Sequence, residues 1–230
     1  MTKYPLINIG FVTQLSIKKL SCRALAIAVA IALPPVYAAD ISYPATDIIG
    51  WKHKSFSGDT DYSIVYDEKI QQKVILAKSS QTASGLFYEK KIDLNKTPFL
   101  NWSWRVEKFP SVADEKVKAG DDFAARIYIV VQDGWTFLST KAISYVWSKQ
   151  SHTNDVWPNP FTNGSAMMLA VRGSDDGNGW VTEKRNIKED LQKLFGKEIR
   201  YIDAIAIMTD TDNSKSSATS YYSNIRLTEE

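Results

Sequence analysis

The feature that most constrains the fold of this chain is an alternation of apolar and polar residues with a period of two. In the segment LNWSWRVE, residues 100–107, every second residue from Leu100 to Val106 is apolar and the residues between them are polar or charged. The segment FAARIYIVV, residues 123–131, has a similar pattern, with Phe123 and Ile127 on the apolar side and Arg126 and Tyr128 on the other. Because successive side chains of a β-strand point to opposite faces, these patterns predict strands that each bury one face.

Several other segments fit the same scheme, among them KAISYVWS, AMMLAVR and SYYSNIRL. One segment, RNIKEDLQKLFGKE, has helical spacing, with Asn186 as N-cap, Glu189 three residues later and Gly196 at the end. Roughly eight to ten short strands with turn residues between them are typical of a sandwich. The sequence therefore predicts an all-β fold, a two-sheet antiparallel β-sandwich of jelly-roll type with one short helix.

The N-terminus has the features of an export signal. Basic residues precede the apolar run ALAIAVAIAL, residues 24–33, and the segment VYAAD provides small residues suited to cleavage after Ala38. We therefore expect a signal peptide at residues 1–38 and a single β-sandwich domain at residues 39–230. The mature protein would then be periplasmic, without a stable membrane anchor once the signal is removed.

Charge and cysteine content exclude several classes of function. The segment 1–38 carries four basic residues and no acidic one, so its removal changes the formal charge from +2 to about −2. A weakly acidic chain lacks the basic surface that binding to phosphates requires, and we expect no nucleic-acid partner. Cys22 is the single cysteine and leaves with the signal, which excludes a disulfide, a thiolate nucleophile and a cysteine-based zinc site.

Acidic residues follow or precede predicted strands at two places. The segment KAGDDF comes just before one strand, and TDTDN ends another. If these ends meet, their oxygens could ligate Ca²⁺, which binds six to eight oxygen ligands. The alternative is a strand-end turn, held by Asp and Asn side chains and by a salt bridge to Arg126. The candidate metal ligands are Asp121, Asp122, Asp210, Asp212 and Asn213.

Aromatic residues are the candidates for ligand contact. Tryptophan rings can stack on the apolar faces of sugars, although in a chain without disulfides most such rings are needed in the core. Trp102 and Trp104 lie on the apolar side of one predicted strand and are expected to be core. The expected ligand-binding residues cluster within a short span and comprise Trp135, Tyr145, Trp147 and Trp157, of which Trp135 and Trp157 lie at predicted loops.

Catalytic motifs give little support for an enzyme. The sequence has no G-x-S-x-G elbow and no H-E-x-x-H motif. A polysaccharide hydrolase or lyase would need two carboxyl groups about 5 to 10 Å apart across the scissile bond. Glu183, Asp121 and Asp122 are the candidates for such a pair, and this alternative predicts that they line one cleft.

Five blocks of the chain, taken in order, resemble DUF3047, a family of exported bacterial proteins of unknown function. The blocks are LNWSWRVEKFP, KAGDDFAARIYIVV, YVWS, WVTEKRNIKEDLQKLFG and IAIMTDTDNSKSSATSYYSNIRL. This resemblance implies export and a β-sandwich but no reaction. At a looser level the layout is similar to galactose-binding and carbohydrate-binding-module sandwiches, an analogy of fold alone.

Together these features favour an exported, non-catalytic protein that binds a carbohydrate or another cell-envelope ligand, with a possible structural calcium ion. The alternatives are the hydrolase or lyase with paired carboxylates, and a structural envelope protein whose sandwich face binds another protein. The third alternative predicts a contiguous exposed apolar patch.

Overall fold

A computed structural model describes residues 40–132, 140–173, 176–177 and 179–230. Its helices are α1 (Ala45–Ile48) and α2 (Ile187–Phe195). The strands, in chain order, are β1 (Ile41–Tyr43), β2 (Lys52–Ser57), β3 (Asp61–Asp67), β4 (Gln72–Ser80), β5 (Ala83–Tyr88), β6 (Ile92–Asp93), β7 (Phe99–Lys108), β8 (Arg126–Gln132), β9 (Thr140–Trp147), β10 (Val156–Pro158), β11 (Ala166–Arg172), β12 (Val181–Asn186), β13 (Tyr201–Ile202), β14 (Ala204–Asp210) and β15 (Ser217–Thr228).

The longer strands form two large sheets. The six-stranded sheet has the order β12-β7-β15-β4-β3, with β1 also paired to β15, and the seven-stranded sheet has the order β10-β11-β9-β8-β14-β5-β2. The strands β6 and β13 form a separate pair. The predicted all-β sandwich is confirmed. The predicted signal peptide at residues 1–38 lies outside the described residues.

One pair of strands departs from the antiparallel prediction. β9 and β11 run parallel, with Ala142 opposite Ala166. Parallel neighbours require a crossover connection, and residues 148–165 provide it, with β10 lying antiparallel on the outer side of β11. The alternation of apolar residues indicates that a segment is a strand but carries no information on its direction.

The core lies between the two sheets. Trp102 and Trp104 on β7 point inward and are buried, as predicted for them. Their rings contact two rings of the opposite sheet, Tyr145 at 5.6 Å and Trp147 at 5.8 Å between ring centroids. Each large ring that packs between sheets removes ~150–250 Å² from water, so this aromatic layer is a main source of the stability of a chain without cross-links.

Helix α2 has the predicted caps. The Asn186 side chain accepts a hydrogen bond from the Glu189 backbone amide at 3.2 Å, and Gly196 adopts a left-handed conformation with φ of 67°. Helix α1, only four residues long, was not predicted, since its sequence is too short to show a helical period. No helix in the described part of the chain is long and apolar enough to cross a membrane.

Strand β8 determines what the seven-stranded sheet presents to the outside. Ile127 and Ile129 are buried in the core, so the alternating residues Arg126, Tyr128 and Val130 lie on the outer face. The strand begins at Arg126, three residues later than the alternation suggests. Phe123, which was expected on the core side, instead belongs to a second, smaller apolar cluster with Val146, Trp157, Met168 and Ala170.

Candidate functional site

A groove crosses the outer face of the seven-stranded sheet. It consists of two adjoining cavities of about 580 and about 400 Å³, and both are lined by Tyr128, Thr140 and Ala142. We call the combined feature the outer groove. Its remaining described lining residues are Lys54, Phe56, Phe87, Glu89, Val130, Gln132, Asp203 and Ala204 in the larger cavity, and Asn159, Phe161, Thr162, Ser165 and Ala166 in the smaller one.

Aromatic rings lie at both ends and in the middle of the outer groove. Phe56 on β2 is 63% exposed and packs edge-on against the buried Phe87, with 6.1 Å between ring centroids. Phe161, between β10 and β11, is 53% exposed. Tyr128 lies between them, where the two cavities meet. Exposed aromatic rings beside neutral polar groups are suited to amphipathic ligands, which have both apolar faces and hydroxyl groups.

The charged residues of the outer groove are already paired. The Lys54 ammonium group contacts Glu89, and Lys52 donates to the other oxygen of Glu89 at 2.8 Å. Asp203 accepts a hydrogen bond from the Gln132 backbone amide at 2.8 Å. Hydrogen bonds from Lys52 and Lys54 lower the pKa of Glu89, so this carboxyl group is ionised at neutral pH.

Next to the outer groove the structure brings all the predicted acidic residues together. Arg126 is 1% exposed, and its Nη2 lies 3.0 Å from Asp210 Oδ2 and 3.5 Å from Asp121 Oδ1. Asp122 accepts hydrogen bonds from the backbone amides of Asn213, at 3.1 Å, and of Ser214, at 2.5 Å. We call this group the acidic cluster, and it comprises Asp121, Asp122, Asp210, Asp212 and Asn213 with Arg126.

The acidic cluster has both features that the sequence left open. It contains the salt bridge to Arg126 and a turn held by Asp122. It also has one carboxylate oxygen each from Asp122, Asp210 and Asp212 within 4.8 Å of one another, an arrangement that could hold a cation. The cluster contains four carboxyl groups and one guanidinium group, so it would carry an excess of negative charge if all four were ionised.

Burial dominates the electrostatics of the acidic cluster. It raises the pKa of Asp210 well above its usual range, although Arg126 acts in the opposite direction. Burial likewise raises the pKa of Asp121. Asp121 Oδ1 is buried and accepts no hydrogen bond from the described residues. These carboxyl groups are thus costly to keep ionised, and the Arg126 guanidinium group is the cation that stabilises their ionised forms.

Two hydrogen bonds connect the acidic cluster to the outer groove. Arg126 Nη1 donates to the hydroxyl group of Tyr128 at 2.6 Å. Asn159 Nδ2 donates to Asp121 Oδ2 at 2.8 Å. Both Tyr128 and Asn159 line the groove, so the cluster holds two groove side chains in place.

The aromatic residues predicted for ligand contact do not form the groove. Tyr145 and Trp147 point into the core from β9, and Trp157, 6% exposed, packs near Phe123 with 6.3 Å between ring centroids. These three rings present almost no surface to a ligand, so the structure corrects their predicted role. Trp135 lies outside the described residues.

The aromatic residues that do line the outer groove were missed. Phe56 occurs in the polar segment KHKSFSG and Phe161 in the loop NPFTNG. A single aromatic residue in a polar context is a weak signal for an exposed binding surface. Tyr128 was placed on the polar side of its strand by the alternation, and that was the available signal.

The carboxyl groups proposed for catalysis make separate sets of contacts. Glu183 lies on β12, in the six-stranded sheet, and accepts hydrogen bonds from Arg172 Nε at 2.5 Å and from Trp104 Nε1 at 3.3 Å. Asp121 and Asp122 belong to the acidic cluster beside β8 and β14 and share none of these partners. Glu183 thus contacts side chains of β7 and β11, whereas Asp121 and Asp122 lie in the segment before β8, so these contacts give no support to the predicted pairing.

The fold and the groove define a β-sandwich protein with an aromatic-lined groove across one sheet. The chain belongs to the DUF3047 family, whose model, described as a protein of unknown function, matches residues 49–226. No curated protein matches the sequence.

Solved structures with a similar arrangement include a family 30 carbohydrate-binding module of a cellulosomal cellulase from Clostridium thermocellum. Its sequence identity to this chain is 10% and the TM-score is 0.46, and the alignment covers 84% of this chain and 98% of that one. Another is the module CBM27-1 of Caldicellulosiruptor saccharolyticus in complex with mannohexaose, with 11% identity, a TM-score of 0.40, and coverage of 84% and 98%. At these scores the similarities concern the sandwich layout and say nothing about what this chain binds.

Proposed function

We propose that this protein is a non-catalytic carbohydrate-binding protein and that the outer groove is its binding site. The observation that carries the proposal is the groove itself, with exposed rings at Phe56 and Phe161 and a fixed ring at Tyr128 between them. Sugars have apolar C–H faces and many hydroxyl groups, so aromatic rings beside neutral hydrogen-bonding side chains match both parts of such a ligand.

The groove carboxylates favour binding over hydrolysis. A glycosidase needs a general acid whose pKa is raised, whereas hydrogen bonds from two lysines lower the pKa of Glu89. Asp203 already accepts a backbone hydrogen bond and lies 3.8 Å from the Lys91 ammonium group. Glu89 therefore lacks the raised pKa of a general acid, which supports a binding role.

The proposal includes a structural calcium ion in the acidic cluster. Asp122, Asp210 and Asp212 would supply the ligands, since their oxygens lie close enough to share one ion. Calcium would offset the negative charge of those carboxylates that Arg126 does not neutralise. Because the cluster holds Tyr128 and Asn159, the ion would act on the groove by keeping these side chains in place.

The proposal also includes export to the periplasm, with cleavage after Ala38, as the basic and apolar segments at the N-terminus suggest. A periplasmic protein of this kind would meet glycans of the cell envelope or oligosaccharides that enter from outside.

A glycan array tests the binding function. The full chain should bind at least one class of glycan, and the variant Phe161→Ala should lose much of the signal. Tyr66→Ala is the matched control, because Tyr66 is also an exposed aromatic residue, 56% exposed, but lies on β3 of the six-stranded sheet. Equal loss in both variants, or no binding to any glycan, would refute the proposal.

A further inference from the structure

We infer that the ligand of the outer groove is a neutral, linear glycan chain that lies across the strands, bound through several consecutive sugar units. This inference rests on the proposed carbohydrate-binding function and specifies the class of carbohydrate. It follows from three properties of the groove: its charge balance, its length across the sheet and the shape of its floor.

The charge balance favours a neutral ligand. The described lining residues include three charged ones, Lys54, Glu89 and Asp203. The Lys54 ammonium group is bonded to Glu89 and also lies over the Phe87 ring, 4.8 Å from its centroid. In the larger cavity, an acidic sugar would have to break the Lys54–Glu89 pair to gain the lysine that lines it as a cationic partner, and Asp203 would repel it. A neutral sugar can bind with these pairs intact.

The length of the groove favours a chain over a single sugar. Phe56 belongs to β2, and Phe161 lies next to β11, which is separated from β2 by four strands in the sheet. Neighbouring strands are about 4.8 Å apart, so the distance from β2 to β11 is about 24 Å measured across the sheet. A single sugar cannot contact both rings, whereas a linear oligosaccharide can.

The floor of the groove favours close approach of sugar rings. Its outward-facing residues include Ala142 on β9 and Ala204 on β14, whose small side chains leave space above the sheet. Beside them, Gln132 and Thr140 provide a neutral amide and a hydroxyl group. Such groups hydrogen-bond to sugar hydroxyls without selecting for charge.

Isothermal titration of the full chain tests this inference. The ligands are cello-, manno- and xylo-oligosaccharides of about two to six units, with oligogalacturonides of the same lengths as the acidic series. We expect a neutral series to bind with affinity that rises with chain length and the acidic series to bind at least tenfold more weakly. With the longest neutral ligand, Phe56→Ala and Phe161→Ala should each weaken binding about two- to twelvefold, which corresponds to the ~0.5–1.5 kcal/mol of a ring contact. Tyr66→Ala should leave the affinity unchanged.

Each negative result of this titration would refute a different part of the account. Tight binding of the acidic series would overturn the neutral assignment and leave carbohydrate binding in place. Affinity that is the same for a disaccharide as for a hexasaccharide, or that depends on one of the two phenylalanines alone, would overturn the chain assignment. Absence of binding by every carbohydrate would refute the proposed function itself.

Discussion

Replacement of Arg126 by methionine should be among the most damaging single changes in this protein. The guanidinium group is 1% exposed, bonds Asp210 at 3.0 Å and Tyr128 at 2.6 Å, and lies 3.5 Å from Asp121. Its removal leaves two buried carboxyl groups without their cation. Breaking a buried ion pair in this way costs about 3–5 kcal/mol, and at about 2–4 °C per kcal/mol for a chain of this size the melting temperature should fall by roughly 6–20 °C.

The loss of stability in Arg126→Met should depend on pH in a defined direction. Burial raises the pKa of Asp210 and of Asp121 in the folded state, and Arg126 counteracts both shifts. A carboxyl group with a raised folded-state pKa stabilises the fold below its unfolded pKa, and this stability is lost as the pH rises through the folded pKa. Without Arg126 both folded pKa values rise further. The deficit of Arg126→Met should therefore be largest at pH 7 and should shrink as the pH falls toward about 4.

Urea denaturation of both proteins at several pH values measures this effect. The double variant Arg126→Met/Asp210→Leu should recover part of the stability at pH 7, because it removes one of the stranded carboxyl groups. Arg226→Met is the matched control, since Arg226 pairs with Asp40 at the surface and should contribute no more than about 1 kcal/mol. A deficit for Arg126→Met that is small, or that is constant from pH 4 to pH 7, would refute the electrostatic reasoning.

Three further predictions concern calcium, export and helix α2. Calcium should raise the melting temperature of the wild type until the site is saturated, because an ion that binds only the folded state stabilises it. The exposed control Asp59→Asn should show the same rise, and Asp212→Asn should show none. Equal shifts in all three proteins would exclude the acidic cluster as the site. Protein purified from the periplasm of an expressing bacterium should begin at Ala39 in N-terminal sequencing, and an intact N-terminus would contradict a cleaved signal. Asn186→Ala should cost about 1 kcal/mol in urea denaturation through loss of the helix cap, whereas Gln192→Ala on the exposed side of the same helix should change stability by less than about 0.5 kcal/mol.

The sequence predicted the parts of this structure that depend on local pattern. The alternation in the segment that forms β7 predicted that Trp102 and Trp104 are buried, and the residues around Asn186 predicted the start of α2. The acidic cluster was also within reach, because Asp121 precedes one strand and Asp210 ends a neighbouring strand of opposite direction. Ends of antiparallel neighbours meet at one edge of a sheet.

The outer groove could not be predicted from local sequence pattern. Its residues come from six strands and from the loop that contains Phe161, so no single segment of the sequence shows it. Aromatic content was a misleading guide, since Tyr145 and Trp157 are held in apolar clusters while the less conspicuous Phe56 is exposed. Tertiary packing decides which side of a strand faces outward and what covers that side.

A crystal structure of the protein with a bound oligosaccharide would test the central claim most directly. The account predicts electron density for several sugar units along the outer groove, in contact with Phe56, Tyr128 and Phe161. Trp180 and Tyr221 lie with their ring centroids 6.4 Å apart, and Tyr221 belongs to β15 of the six-stranded sheet. Density against these two rings instead would contradict the assignment of the site.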